Sequence, residues 1–276
     1  MPFNKIFFCI KSVPRLLFVQ GTISWLRCSL TMSSIFRLLT YNIHSCIGTD
    51  RRLDPARIAE VIAATEADVV CLQEVDVGRN RTSGIDQADV IAGYLTMQSH
   101  FHSALNVAEE RYGDALLTRF PTRIVQQGML PSRGEQRGAL LVEVSIGQIA
   151  VNVCVTHFGL RAGERAEQAR ALLGVEWLGP LLEADAPIVV AADLNAIPNS
   201  KAFKLLTARL ADATKANLKS ESLSRSKPTF PSRFPFLRLD HVLISGGLNI
   251  LEARVIDTPL ARRASDHLPL LVTMQI

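Results

Sequence analysis

Apolar and polar positions alternate along this chain in a way that favours strands over helices. Residues 35–43, IFRLLTYNI, form a short apolar run bounded by turn residues and predict a strand. Residues 68–75, DVVCLQEV, are nearly continuous in apolar side chains and predict a buried strand. Strand-like stretches follow at 115–118, 123–128, 139–146 and 148–156, and the last two flank a tight turn at Gly147 that makes them a hairpin. Residues 187–192, PIVVAA, read as another buried strand, and 239–244, 248–255 and 268–274 complete the set.

Helical patterns are fewer. Asp54 caps one helix, with Pro55 at its first position and Ile58, Val61 and Ile62 as its apolar stripe. A second is expected at 85–95, a long one rich in Ala, Leu, Glu and Arg at 162–184, and another at 201–210. Residues 211–235 lack periodicity and read as a long loop, a kind of segment that often carries function. Helices between some strands and hairpins between others fit an α/β (α+β) chain: two sheets packed face to face with helices outside.

Composition narrows the partners. The chain has 276 residues, ample for one large core. Its formal charge of +4 resides in residues 1–31, where Lys5, Lys11, Arg15 and Arg27 stand without a single acid; the remainder balances. A non-specific nucleic-acid binder usually carries a basic excess, so the neutral body weighs against that class. The leader is apolar as well as basic, yet its longest uncharged run, 16–26, is too short to span a bilayer. Three readings suit it: a start assigned upstream of the true one, a membrane-surface or targeting segment, or a structural extension. The expected organisation is a leader at 1–31, which the first reading places outside the true protein, and one domain at 32–276. Beyond the leader, Cys46, Cys71 and Cys154 have no metal or disulfide spacing and read as buried thiols of a reducing compartment.

The chemistry gathers where apolar runs end. TYNIHS puts Asn42 at one strand end, and CLQEV puts Gln73 and Glu74 at another. VTHFGL supplies His157, AADLN supplies Asp193 and Asn195, RLDHV supplies Asp240, and SDHLPL supplies Asp266 and His267. Singly, each has a plain structural reading as a turn residue, a solvated end, a core histidine or a helix cap. Together they are harder to dismiss, because burying carboxylates near one another is costly unless a cation or partner compensates.

The ordered set TYNIH, LQEV, YGDALLTRFP, THFGL, AADLNAIP, RLDHVLIS and SDHLPL resembles the endonuclease/exonuclease/phosphatase superfamily, from about residue 35 to the C-terminus. That superfamily includes deoxyribonuclease I, exonuclease III-type nucleases, neutral sphingomyelinases, inositol polyphosphate 5-phosphatases and polyadenylate deadenylases. The resemblance implies a four-layer sandwich of two mixed sheets flanked by helices, with the site at one edge. It implies Mg²⁺, or Mn²⁺, at Glu74, with Asn42 close by and Asp266 reaching the metal. Asp193 would orient or deprotonate the attacking water, Asn195 would hydrogen-bond the phosphate, and Asp240 would hold His267 in one tautomer. Leaving-group protonation falls to His157 or to a metal-bound water, and acid and base stay unassigned between the two histidines.

His157 selects among branches. THFGL is similar to the deoxyribonuclease I, sphingomyelinase and phosphatase branches, and THFGLRAGERAEQARALL resembles a bacterial branch whose wider group includes enzymes of lipid phosphodiesters. One departure is YGDALL in place of the expected YGNALL, with Asp114 either an added carboxylate at the site or a turn residue after Gly113. Arg137 reads as a phosphate contact or as an ion pair with Glu135, and Arg161 as a further contact or a structural pair. Residues 226–240 interleave Lys227, Arg233 and Arg238 with Phe230, Phe234 and Phe236. Such a loop can stack bases, sit at a lipid headgroup boundary, or simply pack onto the body.

The resulting expectation is a Mg²⁺-dependent phosphodiesterase acting on a lipid or small-molecule phosphodiester. A DNA or RNA nuclease and an inactive phosphoester-binding module are the alternatives. The chain is expected to be a cytoplasmic monomer, with peripheral contact to a membrane surface as its one further partner.

Overall fold

The strands of the computed structural model, which describes residues 34–107, 109–215 and 227–276, fall into two sheets of six. The leader at 1–31 lies outside the described residues. The first sheet contains β1 (Ile35–Asn42), β2 (Val69–Val77), β3 (Gln98–Val107), β4 (Glu110–Thr118), β11 (Asn249–Val255) and β12 (Leu270–Gln275). The second contains β5 (Thr122–Leu130), β6 (Arg137–Ile146), β7 (Ile149–His157), β8 (Ile188–Asp193), β9 (Ala211–Asp212) and β10 (Asp240–Ser245). Their orders are β11-β12-β1-β2-β4-β3 and β5-β6-β7-β8-β10-β9. Each sheet has one parallel pair near its centre, β1/β2 and β7/β8, and is otherwise antiparallel.

Side-chain alternation builds the layers. Phe36 and Leu38 of β1, Val69 and Cys71 of β2, Val153 and Val155 of β7, and Val189 and Ala191 of β8 share one core between the sheets. The other faces of β1 and β2, with Leu39, Tyr41 and Leu72, pack on α1 (Pro55–Ala63), α2 (Gln87–Leu95) and α6 (Pro259–Ala264). Ile188, Val190 and Ala192 of β8 face α3 (Ala162–Leu172) and α5 (Lys201–Thr207). Helix, sheet, sheet and helix make the expected four layers.

Several elements depart from expectation. The helix expected at 162–184 is two helices, α3 and α4 (Gly179–Glu183). The chain reverses between them: the amides of Gly174 and Leu178 bond back to Ala171 O and Leu172 O, and a Cβ on Gly179 would lie 2.8 Å from Gly174 O. Strand β3 is absent from the sequence reading because QSHFHSALNV mixes polar and apolar residues on an edge strand. Helix α6 is a short PLARRA turn capped by Thr258, and β9 lies inside the stretch read as loop. Residues 216–226 of that loop fall outside the described ones. The β6–β7 hairpin turns at Gly147 as expected, in the left-handed conformation (φ 63°) that glycine tolerates without strain. The three cysteines are free and buried.

Candidate active site

The carboxyl ends of both parallel pairs open at one edge, where open α/β sheets generally place ligands. The same alternation that fills the core sets the polar ends. His157 and Asp193 continue the inter-sheet face of their strands one step past its last apolar side chain, Asn42 follows Leu38 and Thr40 on the same face of β1, and Asp240 opens that face of β10 ahead of Val242. Glu74 does not follow the alternation. It sits where the β2–β4 register slips between Leu72 and Val75, with φ at 58°. The turn His44–Cys46 (φ 46°, 51°, 58°) and Asn195 (φ 47°) are left-handed too. A non-glycine residue pays about 1–2 kcal/mol for that conformation, and such strain gathers at functional sites.

Asn42 is the hub. Fully buried, it donates through Nδ2 to Glu74 Oε1 (3.0 Å) and to Asp193 Oδ2 (3.0 Å), so it ties the two sheets together. Its Oδ1 accepts the His44 amide at 3.0 Å. Asp193 Oδ2 also stands 3.6 Å from both His157 Nε2 and His267 Nε2, while Oδ1 accepts the Asn195 amide at 2.8 Å. Asp240, the register partner of Asp193, receives His267 Nδ1 at 2.9 Å. His267 reaches this point because Ser265 Oγ donates to Asn42 O (2.7 Å), pinning the start of β12 against the end of β1. An acid and an imidazole begin that strand because its lip closes the site.

The two histidines live in opposite fields. His157 has Arg137 Nη1 3.2 Å from Nδ1 and Asn195 Nδ2 2.9 Å from Nε2. Burial, then the Arg137 charge, push its pKa down to about 3, so the ring is neutral. Burial also opposes charge on His267, but Asp240 and Asp193 outweigh it and raise the pKa to about 10. Asp193 rises to about 7, chiefly through burial, with His267 opposing. Glu74 is half-buried, and desolvation works against its charge, yet the His44 hydrogen bond and the His157 and Asn42 contacts hold its carboxyl well below the usual range.

Of the remaining expected residues, Arg137, Asn195 and Asp266 line the same cavity. Arg137 forms the expected ion pair with Glu135 at 2.8 Å and also reaches His157 on the cavity wall. Asn195 Nδ2 also donates to Phe158 O. Asp266 lines the cavity with Glu74, and both carboxylates approach His44 Nδ1, at 3.6 and 3.4 Å. Asp114 is no turn residue: it lies buried inside β4, and burial raises its pKa to about 8. Arg161 is exposed at the start of α3 and does not line this cavity.

A hard divalent cation fits one part of this arrangement. Glu74 and Asp266 converge on a half-exposed imidazole, an oxygen donor set that suits Mg²⁺ or Mn²⁺. Asp193, Asp240 and His267 also bring ligand atoms within 4.8 Å of one another. That trio is buried, however, and its Nδ1 is committed to Asp240, so it reads as a proton-handling chain.

Sequence reasoning missed His44, Arg79, Arg81 and Tyr112, all of which line the cavity. Arg81 forks onto the buried Asp76 at 2.7 and 2.8 Å, and both arginines lie over the Tyr112 ring. The acid two residues past Glu74 was the available signal, since a buried Asp76 demands a cation.

Known proteins share this architecture. Over 255 residues the chain is 29% identical to the protein YbhP of Escherichia coli (strain K12), covering 87% of this chain and 96% of that one. The human Nocturnin catalytic domain, solved with a bound sulfate, superposes with a TM-score of 0.66 at 21% identity, covering 87% of this chain and 94% of that one. The mannosyl-6-phosphatase Bt3783 of Bacteroides thetaiotaomicron gives 0.64 at 17% identity, covering 87% and 99%. Residues 39–267 match the profile of the Endonuclease/Exonuclease/phosphatase family, spanning every strand end that builds the site, and the chain belongs to that family.

Proposed function

We propose that the chain is a divalent-cation-dependent hydrolase of a lipid or small-molecule phosphodiester, working by in-line attack of water. The family's members are generally hydrolases of phosphoester bonds. The observation that carries the reading is the convergence on Asp193 Oδ2 of Asn42, His157 and His267, with Asp240 behind His267.

A cation held by Glu74 and Asp266 would offset the charge on the phosphate oxygens. Asp193, raised toward neutrality by burial, takes the proton of the attacking water. The water oxygen bonds to phosphorus as the bond to the leaving oxygen breaks. Both ring nitrogens of His267 face carboxylates, which favours the imidazolium and lets Nε2 protonate the leaving oxygen. His157 stays neutral because a guanidinium and an amide nitrogen face its two nitrogens. Arg137 offers guanidinium donors to the non-bridging oxygens, and His157 and Asn195 line the same wall. The charge balance beyond the leader supports a substrate other than nucleic acid.

The test is one incubation of the full chain with Mg²⁺, a DNA oligonucleotide and phospholipid vesicles, beside an EDTA control, with products identified by mass. EDTA-sensitive release of headgroups or diacylglycerol beside intact DNA is expected. EDTA-sensitive shortening of the oligonucleotide would make the chain a nuclease. Mg²⁺ binding without turnover of either substrate or of a generic diester would make it a binding module.

A further inference from the structure

We propose that the lip formed by residues 229–238 docks on an anionic lipid membrane, with Phe234 and Phe236 entering the headgroup region beside the active site. Three phenylalanines occupy this lip, and only Phe230 packs inward, its ring 4.8 Å from that of His267. Phe234 and Phe236 are 80% and 71% exposed. Leu160, which lines the active-site cavity with Phe230, is 74% exposed. Leaving two large rings of one short segment in water has no folding benefit, so a partner surface is the physical reason for them.

The lip is held in place. Ser232 donates its amide to Asp266 O (2.7 Å) and its hydroxyl to Ser265 O (2.6 Å), and the Leu268 amide reaches Thr229 O (2.8 Å). Phe230 and Leu237 bridge its two arms. The exposed rings are therefore fixed relative to Asp266 and His267, and whatever they enter lies next to the chemistry.

Charge selects the partner. Arg233, adjacent to Phe234 in the chain, donates to the Thr49 carbonyl and has no ion-pair partner among the described residues. Arg263 shares Asp50 with the buried Arg57, while Arg262 and Arg238 are each paired with an acid, Asp257 and Asp212. Cations in surplus behind two exposed aromatic rings match an anionic bilayer surface, where apolar insertion and headgroup attraction add. A nucleic acid would ask for a longer basic track, and the body beyond the leader is neutral.

The experiment uses the full chain with Phe234→Trp or Phe236→Trp as a local probe, and Val175→Trp as a control at a position 84% exposed on the stretch between α3 and α4. Emission of each variant, less that of the parent, is followed with phosphatidylglycerol or phosphatidylcholine vesicles carrying brominated acyl chains. Blue-shifted, quenched emission from both lip probes on phosphatidylglycerol, weak on phosphatidylcholine and absent for the control, is expected. The Phe234→Ser/Phe236→Ser double variant should bind phosphatidylglycerol vesicles about tenfold more weakly or worse. No change at either lip position would overturn the proposal. So would a change seen only with single-stranded DNA, which would mark a base-stacking surface, or only as protein concentration rises, which would mark a contact between copies. Membrane entry is read without turnover, so failure here leaves the hydrolase reading standing.

Discussion

Asp240→Asn separates positioning from packing. Asp240 is fully buried, accepts His267 Nδ1 at 2.9 Å through Oδ2, and leaves Oδ1 without a partner. An asparagine fits the same space in two ways. With its oxygen toward Nδ1 it keeps the tautomer but loses the charge-assisted bond, worth about 1.5–3 kcal/mol, or roughly ten- to a hundredfold in rate. With its nitrogen toward Nδ1 it forces the wrong tautomer, a change that costs about 10⁴ in the serine-protease triad. The expected result is a kcat lower by about a hundred- to ten-thousandfold with a much smaller change in KM, because His267 acts on charge that develops in the transition state. Some stability should be lost too, since one partner of a buried Asp–His pair gives up its charge, but the isosteric asparagine keeps the packing and the fold. Steady-state hydrolysis of a chromogenic phosphodiester, beside a thermal melt, reads both. A kcat within about threefold of the parent would refute the positioning role. A variant that no longer folds would make Asp240 a structural residue instead.

Other expectations are simpler to check. Glu74→Gln should weaken Mg²⁺ binding in calorimetry about tenfold or more, because a neutral amide replaces a carboxylate donor; unchanged binding would remove Glu74 from the cation site. His267→Ala should lower turnover about a hundredfold or more, and near-normal rates would reduce the SDH stretch to a plain strand end. Burial, then the Arg238 charge, hold the His241 pKa down at about 4. The unfolded ring titrates near 6.5, so the unfolded state binds the extra proton first, and stability present above that pH is lost as pH falls toward 4. The loss approaches about 3 kcal/mol. His241→Gln should flatten that acid limb in urea titrations at pH 7 and pH 5, and an unchanged difference between the two would assign the acid sensitivity elsewhere.

Much of the site was legible because alternation is a local property. A run such as VCVTH or VVAAD announces both a buried strand and the polar residue at its end, so His157 and Asp193 could be named before any fold was known. What alternation cannot convey is a break in it. Glu74 faces the site only through a register slip and a left-handed residue, and His44 enters on a turn of three such residues. Arg81 belongs to the cavity through Asp76 and the Tyr112 ring, contacts that link three separate segments. The break at Gly174 was missed because Ala, Leu and Glu on both sides favour helix, and a chain reversal between them costs little once Trp177 is buried.

The hydrogen bonds of Asn42 carry a mechanical consequence. Its amide joins an acid of one sheet to an acid of the other: Glu74, with Asp266 and His267 at the approach to β12, belongs to one slab, and Asp193 and Asp240 belong to the other. The oily layer between those slabs is then a gauge block that sets the working gap. Trimming Leu38 or Val189, far from any substrate, would let the slabs settle and detune the chemistry while the molecule stays folded. Activity in this protein is thus a ruler for the thickness of its own core.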